Sequence, residues 1–357
     1  MVVYYVLMAL PILYFLYVKC SGDLYQQNVA NKRAIVLFFA GLIVLLWLRD
    51  KTVGNDCENY LDAFFRIKKM SFEKIWASGD EWGYRVLNKI IAMINDGQQF
   101  FFLAIALFSL VPIMILYKKE SEDAIVTIGL FSFFVFSMYF SGFRQICAMS
   151  FVVPAYYATK HRKFLLFLVS VGIAYLFHQS AVAILLLYPI YRLKITKPRI
   201  LYLIPFWGLI FLRKEAVFSV MLRILPSQYE ETYSEISPTG AYSVLLLLIL
   251  FVIVVYLIMD DTLVDADTMG MRNVLLLTAI LQIFASVSTV AMRLNYYYLL
   301  LLPIALTKCI SKCHFKYRQI ADWSFAGVGI FFIGYFFYNA YVGRDILNVF
   351  PYKFYFS

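Results

Sequence analysis

Six ionisable side chains stand in or beside some of the most apolar sequence of this 357-residue chain. They are Arg49 and Asp56 in LRDKTVGNDCENY (48–60), Glu81 in EWGYRVLNKII, Arg144 in SGFRQ, His178 in FHQSA and Arg293 in AMRLNYYY. Ionisable groups so placed are costly and usually face a cavity, a partner or a substrate. The planar guanidinium fork of arginine matches phosphate oxygens two at a time. A neutral imidazole or a carboxylate can take a proton from a hydroxyl. The set therefore suits an anionic phosphate ligand together with a hydroxyl that must be deprotonated. Each residue alone has a plainer reading. A single arginine at a span end snorkels to lipid phosphate, a histidine can be a structural hydrogen-bonder, and loop acids are ordinarily just solvated.

The elements that must carry these residues are membrane helices. The composition is 62% apolar, 19% aromatic and 15% charged, with mean hydropathy +0.75. A soluble domain would carry about 25% charged residues. Long runs such as LLLLILFVIVVYLIM (245–259) do not alternate, which disfavours a β-barrel. The expected fold is an all-α, polytopic membrane protein forming one membrane domain over 1–357. Twelve spans are expected near 2–18, 34–48, 99–117, 124–141, 143–158, 164–177, 179–191, 200–212, 241–259, 273–291, 295–307 and 323–341.

Lysine and arginine set the orientation. With the first span entering from outside, short basic connections fall inside at 19–33, 118–123, 160–163, 192–199, 260–272 and 308–318. Both termini and two long loops, 49–98 and 213–240, then lie outside. This parity requires the chain to turn back at His178-Gln179-Ser180; one continuous helix over 164–191 would place basic loops outside. The loop 49–98 is expected to carry amphipathic helices at ENYLDAFFRI and EWGYRVLNKII. The net charge of +10 follows from inside loops and implies no nucleic-acid partner. The five cysteines form no disulfide framework, and Cys309, Cys313 and His314 are a weak metal signal.

On this topology Arg49, Arg144, His178 and Arg293 gather near the outer membrane face, with Asp56 and Glu81 on the same side. A lipid phosphate or pyrophosphate is the anion expected at that depth. Glycosyl transfer from a lipid pyrophosphate needs a stabilised leaving group and a base for the acceptor hydroxyl, and the residues supply both. Two other classes use similar parts. A lipid-linked oligosaccharide flippase needs cations along a path open to both sides, often in repeated halves, and no internal repeat is found. A membrane O-acyltransferase would use a histidine but has no need of three arginines on one face.

The ordered motifs carry a resemblance. LRDKTVGNDCENYLDAF (Arg49, Gly54, Asp56, Tyr60), EWGYRVLNKII (Glu81, Gly83, Tyr84, Leu87, Asn88), SGFRQICAMS, FHQSA and AMRLNYYY together resemble the EpsG-like branch of the Wzy polymerases of bacterial polysaccharide synthesis. Cys57 stands where that family often has an aromatic residue. The resemblance implies a multi-pass protein of the bacterial cytoplasmic membrane with its active site on the periplasmic or extracellular face. It implies a metal-independent glycosyltransferase, without cofactor, that moves a growing glycan from undecaprenyl pyrophosphate to a lipid-linked repeat unit. Its partners would be that lipid-linked oligosaccharide, membrane lipid and a chain-length regulator protein. Arg144, Arg293 and Arg49 are expected to bind pyrophosphate, and His178 to act as base or to orient the acceptor. Asp56 and Glu81 are expected to bind sugar or share the base role. Tyr60, Tyr84 and Tyr297 are expected to line the sugar path.

Overall fold

The computed structural model describes residues 2–77, 79, 81–222, 241–262, 264–313, 315–342 and 347–356. Among them every extended element is a helix, and the backbone pairings outside helices are isolated bridges, Arg49 with Phe354 and Met259 with Cys313. An apolar chain in lipid must satisfy its backbone polar groups internally, and helices do this within one segment. Three helices are long and apolar enough to cross a membrane: α1 (Val2–Ser21), α2 (Leu24–Leu48) and α6 (Gln98–Glu120). The helices Ala291–Leu299 and Leu302–Ser311 form a further candidate bent by 41°. Pro303 at the start of the second member has no N–H and its ring disfavours the carbonyl four residues back, which accounts for the bend.

Several expected spans are shorter or broken. The segment 124–141 divides into α7 (Ala124–Phe134) and α8 (Met138–Ser141), and 143–158 divides into α9 (Phe143–Ser150) and α10 (Val152–Lys160). The helix Thr289–Leu299 also takes in Arg293, which therefore lies within a helix and not in a break between spans. Of the expected loop 213–240, residues 214–222 are helical and 223–240 lie outside the described residues.

The chain does double back at His178. Helix α11 (Phe164–Phe177) ends there, and a 3-10 turn (Gln179–Leu186) leads into the short helix Leu187–Arg192. The rings of Phe164 and Tyr188 lie 5.0 Å apart, and the Arg192 guanidinium donates to the Thr159 carbonyl at 3.0 Å. On one continuous helix residues 164 and 188 would be separated by about 36 Å.

The contacts divide the chain into two compact units, where the sequence reads as a single domain. The first comprises Met1–Tyr157, Leu165–Ala181 and Ser324–Ser357; the second comprises Ala158–Phe164 and Val182–Trp323. In the first, α2 packs between α1 and α6, and α6 supports α9. The loop after α2 forms helices α3 (Cys57–Lys68), α4 (Phe72–Ala77) and α5 (Trp82–Ile94). Their buried faces follow helical spacing, Cys57, Leu61, Phe64 and Ile67 on α3 and Tyr84, Asn88 and Ile91 on α5. Residues 347–355 return to the loop's start. The Asp50 N–H donates to Lys353 at 2.8 Å, that of Gly54 to Asn348 at 2.9 Å, that of Asn55 to Leu347 at 3.0 Å, and that of Tyr355 to Leu48 at 3.0 Å. The Tyr4 hydroxyl donates to the Val349 carbonyl at 2.9 Å, so the start of α1, the end of α2 and this tail meet at one end.

In the second unit the helix Ala266–Phe284 packs against Ala241–Ile258, Leu302–Ser311 and Leu187–Arg192. Its first turn carries Asp267, whose carboxylate accepts from Lys160 at 3.0 Å and also from Lys308 and the Tyr191 hydroxyl. Arg272, fully buried, bonds Asp261 and the Ile195 carbonyl, each at 2.7 Å.

Candidate active site

Glu81 is the hub. It precedes α5 with φ 59° and ψ 33°, a left-handed conformation that costs a residue with a Cβ roughly 1–2 kcal/mol. Such conformations cluster at functional sites, where the surroundings hold them. What holds this one is a close approach. A Cβ on Gly83 would lie 2.9 Å from both the Cβ and the carbonyl oxygen of Leu176, so glycine lets the start of α5 seat on the end of α11. Leu176 is two residues before His178, and the two motifs meet.

The contacts at Glu81 use both carboxylate oxygens. Oε1 lies 2.5 Å from His178 Nδ1, and Oε2 accepts from Arg144 Nη1 at 2.5 Å. The Gln179 N–H makes a longer approach to Oε1 at 3.4 Å. Glu81 and His178 side chains are 9% and 7% exposed, whereas Arg144 is 48% exposed; the pair is enclosed and the arginine forms its open side. Burial opposes ionisation of Glu81, but the hydrogen bond and charge of His178, then those of Arg144, outweigh it and hold the carboxyl below its ordinary value. An ionised carboxylate only accepts. Nδ1 of His178 must therefore be the donor, and once the ring has given up its other proton the basic lone pair is on Nε2.

Arg144 lies in the first turn of α9, after Gly142. Its Nε donates to the Tyr60 hydroxyl at 3.5 Å and its guanidinium lies 5.8 Å from the centre of that ring. Among the described residues nothing accepts from its Nη2. Tyr60 stacks on Phe143 with ring centres 4.7 Å apart and meets the edge of Tyr84 at 5.8 Å. Tyr60 is half-buried; Tyr84 is buried beneath it.

Five expected site residues, Tyr60, Glu81, Tyr84, Arg144 and His178, are thus contiguous in one unit. Asp56 is exposed and begins α3, one turn before Tyr60, with no capping bond from its side chain. Arg49 is 2% exposed. Its Nη1 donates to the Phe140 carbonyl at 2.9 Å, and its guanidinium lies 4.8 Å from the ring centres of both Phe102 and Phe143. That enclosure makes it a brace for the turn leading into Arg144. Gly54 completes the brace: its φ is 105°, and a Cβ there would fall 2.1 Å from the Phe140 oxygen. Arg293 and Tyr297 belong to the second unit, Arg293 partly buried and Tyr297 buried. Phe143 and Phe102 were missed by sequence reasoning, because aromatic residues are too abundant here to mark a position. Of the weak metal signal, Cys309 and Cys313 are buried, and His314 lies outside the described residues.

The geometry follows the ordered motifs, and the whole-chain comparison agrees with them. The model of the EpsG family matches residues 32–354. The chain belongs to the EpsG family. No curated protein and no solved structure matches it. This EpsG-family chain is accordingly a helical membrane protein of a polysaccharide-polymerase-like kind. Its matched span contains every residue of the Glu81 cluster and residues 347–354 of the tail that returns to the loop's start.

Proposed function

We propose that this EpsG-family protein is a polysaccharide repeat-unit polymerase. It transfers the growing glycan from undecaprenyl pyrophosphate to a sugar hydroxyl of a fresh lipid-linked unit, at the outer face of the bacterial cytoplasmic membrane. The observation that carries the reading is the two-sided use of Glu81, with His178 on one oxygen and Arg144 on the other. His178 takes the acceptor proton on Nε2 while Glu81 fixes the tautomer and stabilises the imidazolium that forms. The acceptor oxygen bonds to the anomeric carbon as the bond from that carbon to pyrophosphate breaks. The electron pair leaves on the pyrophosphate oxygen, and Arg144 receives that charge through the guanidinium edge not used by Glu81. The anion also meets the start of α9, whose N-terminal N–H groups favour negative charge.

Tyr60, stacked on Phe143 beside Arg144, lines the sugar path in this reading. Asp56, exposed one turn from Tyr60, binds sugar. The basic connections between spans support the outer-face placement, as does the meeting of α1, the end of α2 and residues 347–355 at one end. The twelve-span reading requires the short helices to pair within the bilayer. Transfer proceeds without metal, and chain length is set with a separate regulator protein.

The test is to delete the gene and run the cell's surface polysaccharide on a gel. Single repeat units in place of a ladder are expected, restored by the parent gene and not by Glu81→Gln. An unchanged ladder in the deletion strain overturns the reading, and lipid-linked units trapped inside the cell would identify a flippase instead.

A further inference from the structure

We infer that a cavity at the end of α2 is a glycan-binding subsite that grips neutral pyranose units away from the reacting bond. It rests on the polymerase reading and says where the polymer is held. The cavity measures about 600 Å³, within the 300–1,000 Å³ range usual for small-ligand sites. Three rings line it, Trp47, Phe100 and Tyr355, beside the polar side chains of Asp50, Asn95, Gln98 and Gln99. A pyranose has the same division: an apolar C–H face that packs on an aromatic ring, and an edge of hydroxyls that both donate and accept.

The polar groups are held in place before any ligand arrives. Asp50 Oδ1 accepts from the Thr52 N–H at 3.0 Å and from its hydroxyl at 2.7 Å. Asn95 Oδ1 accepts from the Gly97 N–H at 2.8 Å, which leaves the amide NH2 as donor. Gln99 Nε2 reaches the Arg49 carbonyl at 3.4 Å, while its Oε1 is enclosed with no hydrogen-bond partner among the described residues. The lining argues against a phospholipid headgroup. A lipid phosphate would meet the Asp50 carboxylate, and the cavity's lysine, Lys51, is already paired with Glu58 at 3.2 Å.

One residue joins this cavity to the Glu81 cluster. The Arg49 carbonyl receives Gln99, and its guanidinium braces Phe140 and Phe143, the turn that presents Arg144. Tyr355 is set by its own N–H bond to Leu48. The subsite and the reacting centre therefore share a scaffold, and a polymer held in the cavity is tethered to the unit that does the chemistry.

The experiment uses the full-length protein in nanodiscs. The probe is the repeat-unit oligosaccharide released from the host's own surface polysaccharide by mild acid, free of its lipid, with binding read by saturation-transfer NMR and calorimetry. Gln98→Ala and Tyr355→Ala are each expected to weaken binding about tenfold, the size of one lost contact. Tyr355→Phe, which keeps the ring, should bind like the parent and controls for folding. In cells the two alanine variants should shorten the polymer ladder without abolishing it. Parent protein that binds no oligosaccharide, or alanine variants that bind it as well as the parent, would overturn the subsite. So would variants that lose co-purifying phospholipid, read by mass spectrometry, while keeping the oligosaccharide. The deletion-strain ladder tests the polymerase reading separately: a ladder abolished by deletion with unaltered oligosaccharide binding in the alanine variants sinks the subsite alone.

Discussion

Two carboxylates in this molecule each join two basic side chains. Glu81 holds His178 and Arg144; Asp267 holds Lys160 and Lys308, with Tyr191 as a third donor. The resemblance ends at what the partners can do. Two ammonium groups and a phenol all serve as donors to Asp267, and none of them brings an imidazole-type nitrogen acceptor to the cluster. Burial there opposes ionisation, but the hydrogen bonds of Lys308 and Tyr191 win, and the carboxyl is pulled down to about 2. At Glu81 one partner is an imidazole, whose second ring nitrogen can accept a proton, and the other is an arginine half open to its surroundings. A saturated carboxylate fastens helices together. A carboxylate with a titratable neighbour and an open cation can serve a reaction.

The largest effect expected to separate the two is at His178. His178→Gln keeps a hydrogen bond to Glu81 but cannot accept a proton. Transfer by the purified protein should fall by about 10²–10⁴, while binding of the lipid-linked donor is retained. Transfer within a few-fold of the parent would remove His178 as the base and reduce Glu81 to a fastener like Asp267. Arg144→Lys comes next. It preserves charge and loses the fork, and a loss of about 10²–10³ in transfer is expected, with normal protein in the membrane. A near-normal ladder with lysine would show that only charge matters there.

Asp267→Asn should do the opposite. Losing the charge of a half-buried carboxylate that holds two ammonium groups costs about 1–3 kcal/mol, seen as a lower melting temperature and less protein in the membrane. The rate per folded molecule should stay within a few-fold. A specific loss of transfer without loss of stability would erase the distinction. The pH dependence sharpens it further. Both carboxyls are depressed in the folded protein, so each contributes stability that is complete above its ordinary value and disappears as pH falls through its folded value. For Asp267 that window runs from 3.8 down to about 2. For Glu81 it begins near 4.5. Acid unfolding of Asp267→Asn should therefore differ in slope from the parent only below about pH 4. The smallest effect is expected at Asp56, exposed and uncapped. Asp56→Asn should raise KM for the acceptor a few-fold and leave kcat alone; a fall in kcat comparable to that of His178→Gln would make it the base.

How far these features could be read from the sequence depends on the range of the interaction that creates them. His178 marks a reversal because a polar triplet interrupts an apolar run, a local signal. Glu81 and Asp56 were legible as loop acids on amphipathic helices for the same reason. That Glu81 would take both His178 and Arg144 depends on three segments far apart in the chain and on the missing side chain of Gly83 against Leu176. Arg49 shows the limit most clearly. Its position beside a span suggests a phosphate ligand, but its cage of Phe102, Phe140 and Phe143 comes from elsewhere in the chain. In a sequence with 34 phenylalanines no single one announces that role. Three helices and one bent pair among the described residues reach span length, fewer than the twelve apolar runs, since hydropathy registers apolar length and not where a helix breaks.

The pairing of residues 347–355 with residues 48–55 sets an order of events during synthesis. A ribosome adds roughly 5–20 residues per second, so the partner strand of this loop is made tens of seconds after the loop itself has emerged. Until then Asp50, Gly54 and Asn55 lack their backbone acceptors in the tail, and the loop start that seats Gly54 against Phe140 is without those bonds. A nascent chain thus carries the whole Glu81 cluster before the backbone bonds that fix the loop's start, and a nonsense mutation just before residue 347 would remove those bonds from a cluster encoded entirely upstream of it.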